Sequence, residues 1–143
     1  MTAEDEIRAL HAAWFKASES KDVDASMAPI AEDVVSYEHE APLQYRGVEA
    51  LRETCRAGFE NSAGELRWDI PDLEIVIRDD IAVTWGLNRM WNREPGKPAY
   101  QLWSRGTRIF QRRDGRWQLI HQHVSFPYEP ETGRAVFGIE AAI

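Results

Sequence analysis

Glu38, Arg108 and three histidines are the residues of this chain whose types and spacing could do chemistry. Glu38 stands in Tyr37-Glu38-His39-Glu40. A carboxylate in an apolar pocket has its pKa raised and can act as a general base or acid. The alternative is a rim glutamate or a salt-bridge partner, because glutamates mostly stay at the surface. Tyr37 carries a hydroxyl that could donate to a developing oxyanion, or it could sit in the core or an interface. Arg108 lies in Thr107-Arg108-Ile109-Phe110. A buried arginine there needs an anionic partner, since an uncompensated internal charge is costly. That partner is either a ligand carboxylate or Glu38. His121 and His123 form a His-x-His on an extended segment, so both rings project from one face. Together with His39 they would make a three-ligand metal set with an open position. Their place on the strand argues instead for a hydrogen-bonding pair at an interface. Ser125 near His123 has no third member or oxyanion loop to make it a nucleophile. Cys55 has no adjacent base and reads as a core thiol.

The bulk features narrow the setting. A chain of 143 residues carries one hydrophobic core, so the expectation is a single domain over 1–143 with a tail from 126. Apolar residues make up 43 % and charged residues 29 %, which excludes an intrinsically disordered chain. Acids outnumber bases 24 to 17, giving a net charge of −7. Nucleic acid and anionic membranes need a basic footprint, so neither is expected as a partner. One cysteine excludes an internal disulfide and a cysteine-based zinc site. Met1 to Leu10 is acidic without an apolar run, so no secretory signal is expected and a cytoplasmic setting fits. Six tryptophans are unusual, and five of them fall between 68 and 117.

The elements that must position these residues come in two blocks. Ile7, Leu10, His11 and Trp14 recur at helix spacing behind a Thr2/Asp5 capping pair. Lys21-Asp22 breaks that helix, and Asp24 can cap a short second one carrying Met27 and Ile30. Val34 to His39 reads as a strand. Gly47 then precedes a third helix with Val48, Leu51, Cys55 and Phe59 on one face. From Leu66 the pattern turns to strands: Leu73 to Arg78, Ile81 to Arg93, Tyr100 to Arg112 and Arg116 to Ser125. Asp114-Gly115 is the signal for a tight hairpin. Helices followed by sequential antiparallel strands mean an α+β fold.

Three stretches then carry a family resemblance: Ser36-Tyr37-Glu38-His39-Glu40-Ala41, Thr107 to Trp117, and His121-Gln122-His123-Val124-Ser125. They resemble the SnoaL-like branch of the nuclear-transport-factor-2-like superfamily. The pattern is closest to the association domain of calcium/calmodulin-dependent kinase II. The resemblance covers Glu6 to Pro127. It implies a cone-shaped, cystatin-like α+β fold, with three N-terminal helices packed on a curved, mostly antiparallel sheet that encloses one pocket. Members include ketosteroid isomerase-like enzymes, dehydratases, cyclases and non-catalytic binders, so fold follows more firmly than function. The association domain's pocket holds three arginines; here only Arg108 matches, with Asn88 and Val124 at the other two positions.

Strand alternation extends that placement. With Asn88, Arg108 and Val124 inward, the pocket face also carries Gly86, Met90, Ser104, Phe110 and Gln122, with Trp14 from the first helix. Phe15, Leu51 and Phe59 line or close it. The other face carries Trp85, Trp91, Trp103, Leu119, His121 and His123. Such an apolar face invites a second copy, so a homodimer through it is expected. A bulge in any strand would flip these faces downstream. The reading is a small-molecule-binding protein that needs neither metal nor organic cofactor. In the catalytic version Arg108 and Asn88 fix an anionic or carbonyl group, Glu38 moves a proton, and Tyr37 is a candidate hydroxyl donor. The alternative is a non-catalytic ligand-binding or oligomerisation module.

Overall fold

The computed structural model describes residues 1–139. Helix α1 (Ala3–Glu19) starts on a capping box: Thr2 accepts from the Asp5 amide, and Asp5 accepts from the Thr2 amide. These bonds satisfy amide groups that a helix start leaves without intrahelical partners. Ile7, His11, Trp14, Ala17 and Ser18 are its buried stripe. Helix α2 (Val23–Met27) is capped by Asp22 rather than Asp24. Strand β1 runs over Ile30–Tyr37, four residues earlier than Val34 at its start. It pairs with the short β2 (Tyr45–Arg46) before α3 (Val48–Asn61) begins. Two helices therefore precede the first strand, and the third follows a strand pair.

Strands β3 (Glu65–Asp69), β4 (Glu74–Arg78), β5 (Ile81–Arg93), β6 (Tyr100–Arg113) and β7 (Arg116–Ser125) complete a sheet ordered β2-β1-β7-β6-β5-β3, with β4 also on β5. The β1–β7 pair is parallel and the others are antiparallel. Beyond β7, the segment read as a tail forms a small hairpin of β8 (Tyr128–Glu129) and β9 (Arg134–Ala135). Its last four positions, 140–143, lie outside the described residues.

Two local features shape the cup. Strand β5 pairs with β4 over Ile81–Trp85 and with β3 over Arg89–Arg93. At the change of partner a Cβ on Gly86 would sit 2.3 Å from Ile70 Cγ2, so only glycine admits that approach. The Asp72 carboxylate accepts from the Leu87 amide there at 2.9 Å. The second feature is a register shift between β6 and β7, where Ile109 faces His121 but Phe110 faces Leu119. This bulge corrects the strict alternation expected for β7. Leu119 is fully buried on the same side as Gln122 and Val124, not on the outer face with His121.

The core lies between the helices and the inner face of the sheet, built from Ile7, Trp14, Met27, Val34, Leu51, Ala82, Phe110 and Leu119. The outer face has no helix among the described residues. Trp85 and Trp103 sit there by register, as do Tyr37, His121 and His123. Trp85, Val76 and Tyr37 are exposed.

His11 is the titratable group of this core. Its Nδ1 donates to the Ile7 carbonyl at 2.8 Å, leaving Nε2 to accept from Thr84 Oγ1 at a long 3.5 Å. Burial pushes its pKa down to about 4. Folding thus disfavours the protonated ring. The unfolded chain takes up the proton first as pH falls, so stability is full above about pH 6.5 and is lost toward pH 4. In urea titrations, stability at pH 4.5 is expected to fall about 2 kcal/mol below that at pH 7 through this group. A His11→Gln variant is expected to show a shallower slope, and an unchanged slope would remove His11 as its cause.

Candidate functional site

A cavity of about 390 Å³ opens between α1, the end of α3 and the inner sheet face. It is open to solvent rather than enclosed. Trp14, Glu38, Asn88, Met90, Arg108 and Gln122 line it. They are brought together from α1, the end of β1, β5, β6 and β7 by the inward parity of those strands.

Arg108 is 4 % exposed and lies at the centre of a continuous hydrogen-bond chain. Its Nε donates to Gln122 Oε1 at 3.3 Å and one terminal nitrogen donates to Asn88 Oδ1 at 3.2 Å. Both bonds are long for a charged donor. The other terminal nitrogen is buried without a partner. The guanidinium lies 5.4 Å from the ring centre of Trp14 and 5.2 Å from that of Trp68. Those two rings meet edge to face, and the Trp68 indole N–H is anchored on Ser18 Oγ at 2.9 Å. Burial holds the Arg108 pKa down at about 10, against a smaller opposing pull from Glu38. Gly106 leaves the room: a Cβ there would lie 2.6 Å from the unpartnered nitrogen.

Glu38 does not ion-pair with Arg108 among the described residues; Gln122 stands between them. Gln122 Nε2 donates to Glu38 Oε2 at 2.8 Å and to Ser36 Oγ at 3.0 Å, and Ser36 donates to the same Oε2 at 2.5 Å. On the other side of Arg108, Asn88 Nδ2 donates to Ser104 Oγ at 2.9 Å, and the Ser104 hydroxyl is hydrogen-bonded to His39 Nε2 at 2.8 Å. Burial, with Arg108 adding to it, pushes the His39 pKa down to about 4. The His39 ring also packs on Phe126 at 4.6 Å.

The other expected site residues fall elsewhere. Ser104 lies beneath the cavity as a link in the chain rather than on its wall. Phe110 is fully buried in the core, 5.3 Å from the His11 ring. Tyr37 stands on the outer face, with its ring 4.8 Å from His121 and 5.4 Å from His123, because β1 and β7 run in parallel register there. His39 is separated from that pair by the sheet, so the three histidines do not converge. Among the described residues, no group of three or more His, Cys, Asp or Glu residues is placed to hold a metal ion. Trp91 has outer-face parity yet also lines the cavity, flanked by Arg67 at 5.0 Å and Arg93 at 5.6 Å. Trp68, Leu66 and His39 were not anticipated as lining residues. The alternation Leu66-Arg67-Trp68-Asp69 carried the signal for the first two.

Removing the Ser104 hydroxyl leaves His39 Nε2 and Asn88 Nδ2 without this partner. A Ser104→Ala variant is expected to lose about 1–3 kcal/mol in chemical denaturation. A loss below about 0.5 kcal/mol would mean that the chain is not closed at this link.

The family model described as a SnoaL-like domain matches residues 7–129. No curated protein matches the chain. Among solved structures, an NTF2-like protein of unknown function from Pseudomonas putida KT2440 is similar at 29 % identity. The match covers 97 % of this chain and 96 % of that one, with a TM-score of 0.89. A candidate dehydratase of the NTF2-like family from Streptomyces avermitilis is similar at 14 % identity, over 85 % of this chain and 94 % of that one, with a TM-score of 0.74. The association domain of the C. elegans calcium/calmodulin-dependent kinase II is similar at 19 % identity, over 85 % and 94 %, with a TM-score of 0.70. The latter two likenesses concern the fold alone. With its helices packed on one face of a mostly antiparallel sheet and a family match over most of its length, the chain belongs to the SnoaL-like family of NTF2-like proteins.

Proposed function

We propose that this protein binds a small, partly apolar organic molecule through an anionic or carbonyl oxygen at Arg108, and that Glu38 moves a proton on it. The observation that carries the reading is the Arg108 guanidinium: buried, lining the cavity and, among the described residues, unpaired with any carboxylate and short of one hydrogen-bond partner. A structural ion pair would have neutralised that charge. Glutamine and asparagine hold it in place and leave it positive. An entering oxygen would meet a preorganised donor in a site screened by Trp14 and Trp68.

The proton chemistry follows from Glu38 lining the same cavity. Its carboxylate takes a proton from a carbon beside the ligand carbonyl. The C–H electron pair moves to the carbonyl oxygen as an enolate held by Arg108. Glu38 then returns the proton to the γ-carbon of a substrate with a β,γ double bond, which is isomerisation, or to a departing β-hydroxyl that leaves as water, which is dehydration. These steps need no organic cofactor. Tyr37, on the outer face, has no part in them. The alternative reading is a non-catalytic ligand-binding or assembly module. The exposed outer face, with Trp85 and Val76 uncovered, supports self-association of two copies in either case.

Two variants test the reading with benzoate as the anionic probe. Arg108→Met is expected to weaken benzoate binding about 10- to 100-fold in calorimetric titration, the worth of a charge-assisted hydrogen bond. Unchanged affinity would contradict the anion site. Glu38→Gln is expected to keep benzoate affinity within about threefold while abolishing exchange of the α-protons of a bound enolisable ketone acid into deuterated water. Exchange at the wild-type rate would leave the binding module as the correct reading.

A further inference from the structure

Behind the neck formed by Trp14, Glu38 and Gln122, a second chamber of about 190 Å³ opens under α3. Those three residues line both spaces, so the chamber adjoins the Arg108 cavity. Its far wall is apolar, from Met27, Leu51 and Cys55. Two hydroxyls, of Ser26 and Thr54, break that wall, and the Thr54 hydroxyl is taken by the Ala50 carbonyl at 3.1 Å. Ser26 is 2 % exposed, and its hydroxyl meets no hydrogen-bond partner of good geometry among the described residues. The Cys55 thiol lies beside Ser26 and offers it at most a weak sulfur contact. A buried hydroxyl left unpaired carries a desolvation penalty that a ligand atom could relieve.

We infer that this chamber is the second half of the binding site, taking an aliphatic arm with a neutral hydrogen-bonding end on the acid whose head sits at Arg108. The inference rests on the anion-binding reading of Arg108 and goes beyond it in naming the ligand class: a medium-chain monocarboxylic acid with a terminal hydroxyl. The chamber holds about six non-hydrogen atoms at the volume of a water each. Its apolar wall favours a methylene chain, and Ser26 gives the terminal hydroxyl a partner. Glu38 at the neck disfavours a second carboxylate on the arm. Burial pushes the Cys55 thiol pKa up, which fits a dry space.

Cys55 is the sole cysteine and serves as a reporter inside the chamber. The probes are butanoic, nonanoic, ω-hydroxynonanoic and nonanedioic acids, titrated by calorimetry and by protection of Cys55 from N-ethylmaleimide. The hydroxy acid is expected to bind about tenfold or more tighter than butanoic acid. It should slow Cys55 alkylation to a similar degree, with no protection by butanoic acid. Nonanedioic acid is expected to bind more weakly than the hydroxy acid. Ser26→Ala removes an unpartnered hydroxyl and leaves the fold intact. It is expected to abolish the advantage of the hydroxy acid over nonanoic acid while leaving butanoic acid unaffected. Long acids that bind in an Arg108-dependent way yet leave Cys55 alkylation unchanged would overturn the chamber and spare the anion site. So would a Ser26→Ala variant that preserves the hydroxy-acid advantage. Binding of none of the four acids would overturn the anion site, and the ligand class with it.

Discussion

An unneutralised positive charge held inside the protein is the constraint on which the site depends. Arg108 is taken out of water without a carboxylate partner, and burial outweighs every favourable contact on its pKa. Its neighbours do not remove the charge; they make it tolerable. Two indole rings face the guanidinium, each contributing about 0.5–2 kcal/mol when water is excluded. Two amide side chains accept from it at long distance. The result is a group that would gain from an anion and has been given none by the described residues.

The fold serves that arrangement. Gly86 and Asp72 let β5 change partner from β4 to β3, which brings Trp68 over the cavity against Trp14. The β7 bulge keeps Leu119 in the core while Gln122 reaches Arg108 from the same face. Gln122 is the hinge of the chemistry, accepting from Arg108 and donating to Glu38. It separates the cation from the carboxylate, so each stays available. A direct ion pair would have satisfied both and left the cavity inert.

Much of the architecture was legible because it follows from periodicity. The α1 stripe, its Thr2/Asp5 cap, the bounds of β5 to β7 and the shared parity of Trp85 and Trp103 are all local pattern, while the family resemblance gave that parity its outward direction. The start of β1 was not, because Ile30 and Ala31 also fit the end of a helical pattern. Leu119 was placed on the wrong face because a bulge leaves no mark in an alternating sequence. Within the site, the family resemblance placed Asn88 and Arg108 in the pocket, and strand parity added Gln122 to them. It could not show that Gln122 intervenes between Arg108 and Glu38, or that Ser104 links Asn88 to His39. Those contacts depend on side-chain rotamers across strands far apart in sequence. Tyr37 and Glu38 differ by one residue, and only the β1–β7 register decides which of them turns to the cavity.

The most direct measurement is the unfolding free energy of empty Arg108→Met protein beside that of the wild type, in urea at pH 7. Methionine keeps much of the length of the side chain and its contact with Trp14 and Trp68 while deleting the charge. If Arg108 is a buried cation waiting for an anion, the variant is at least as stable as the wild type, by about 1–4 kcal/mol where the full cost of the charge is recovered. A loss of about 3 kcal/mol or more would show that the protein already neutralises Arg108, and would contradict the account.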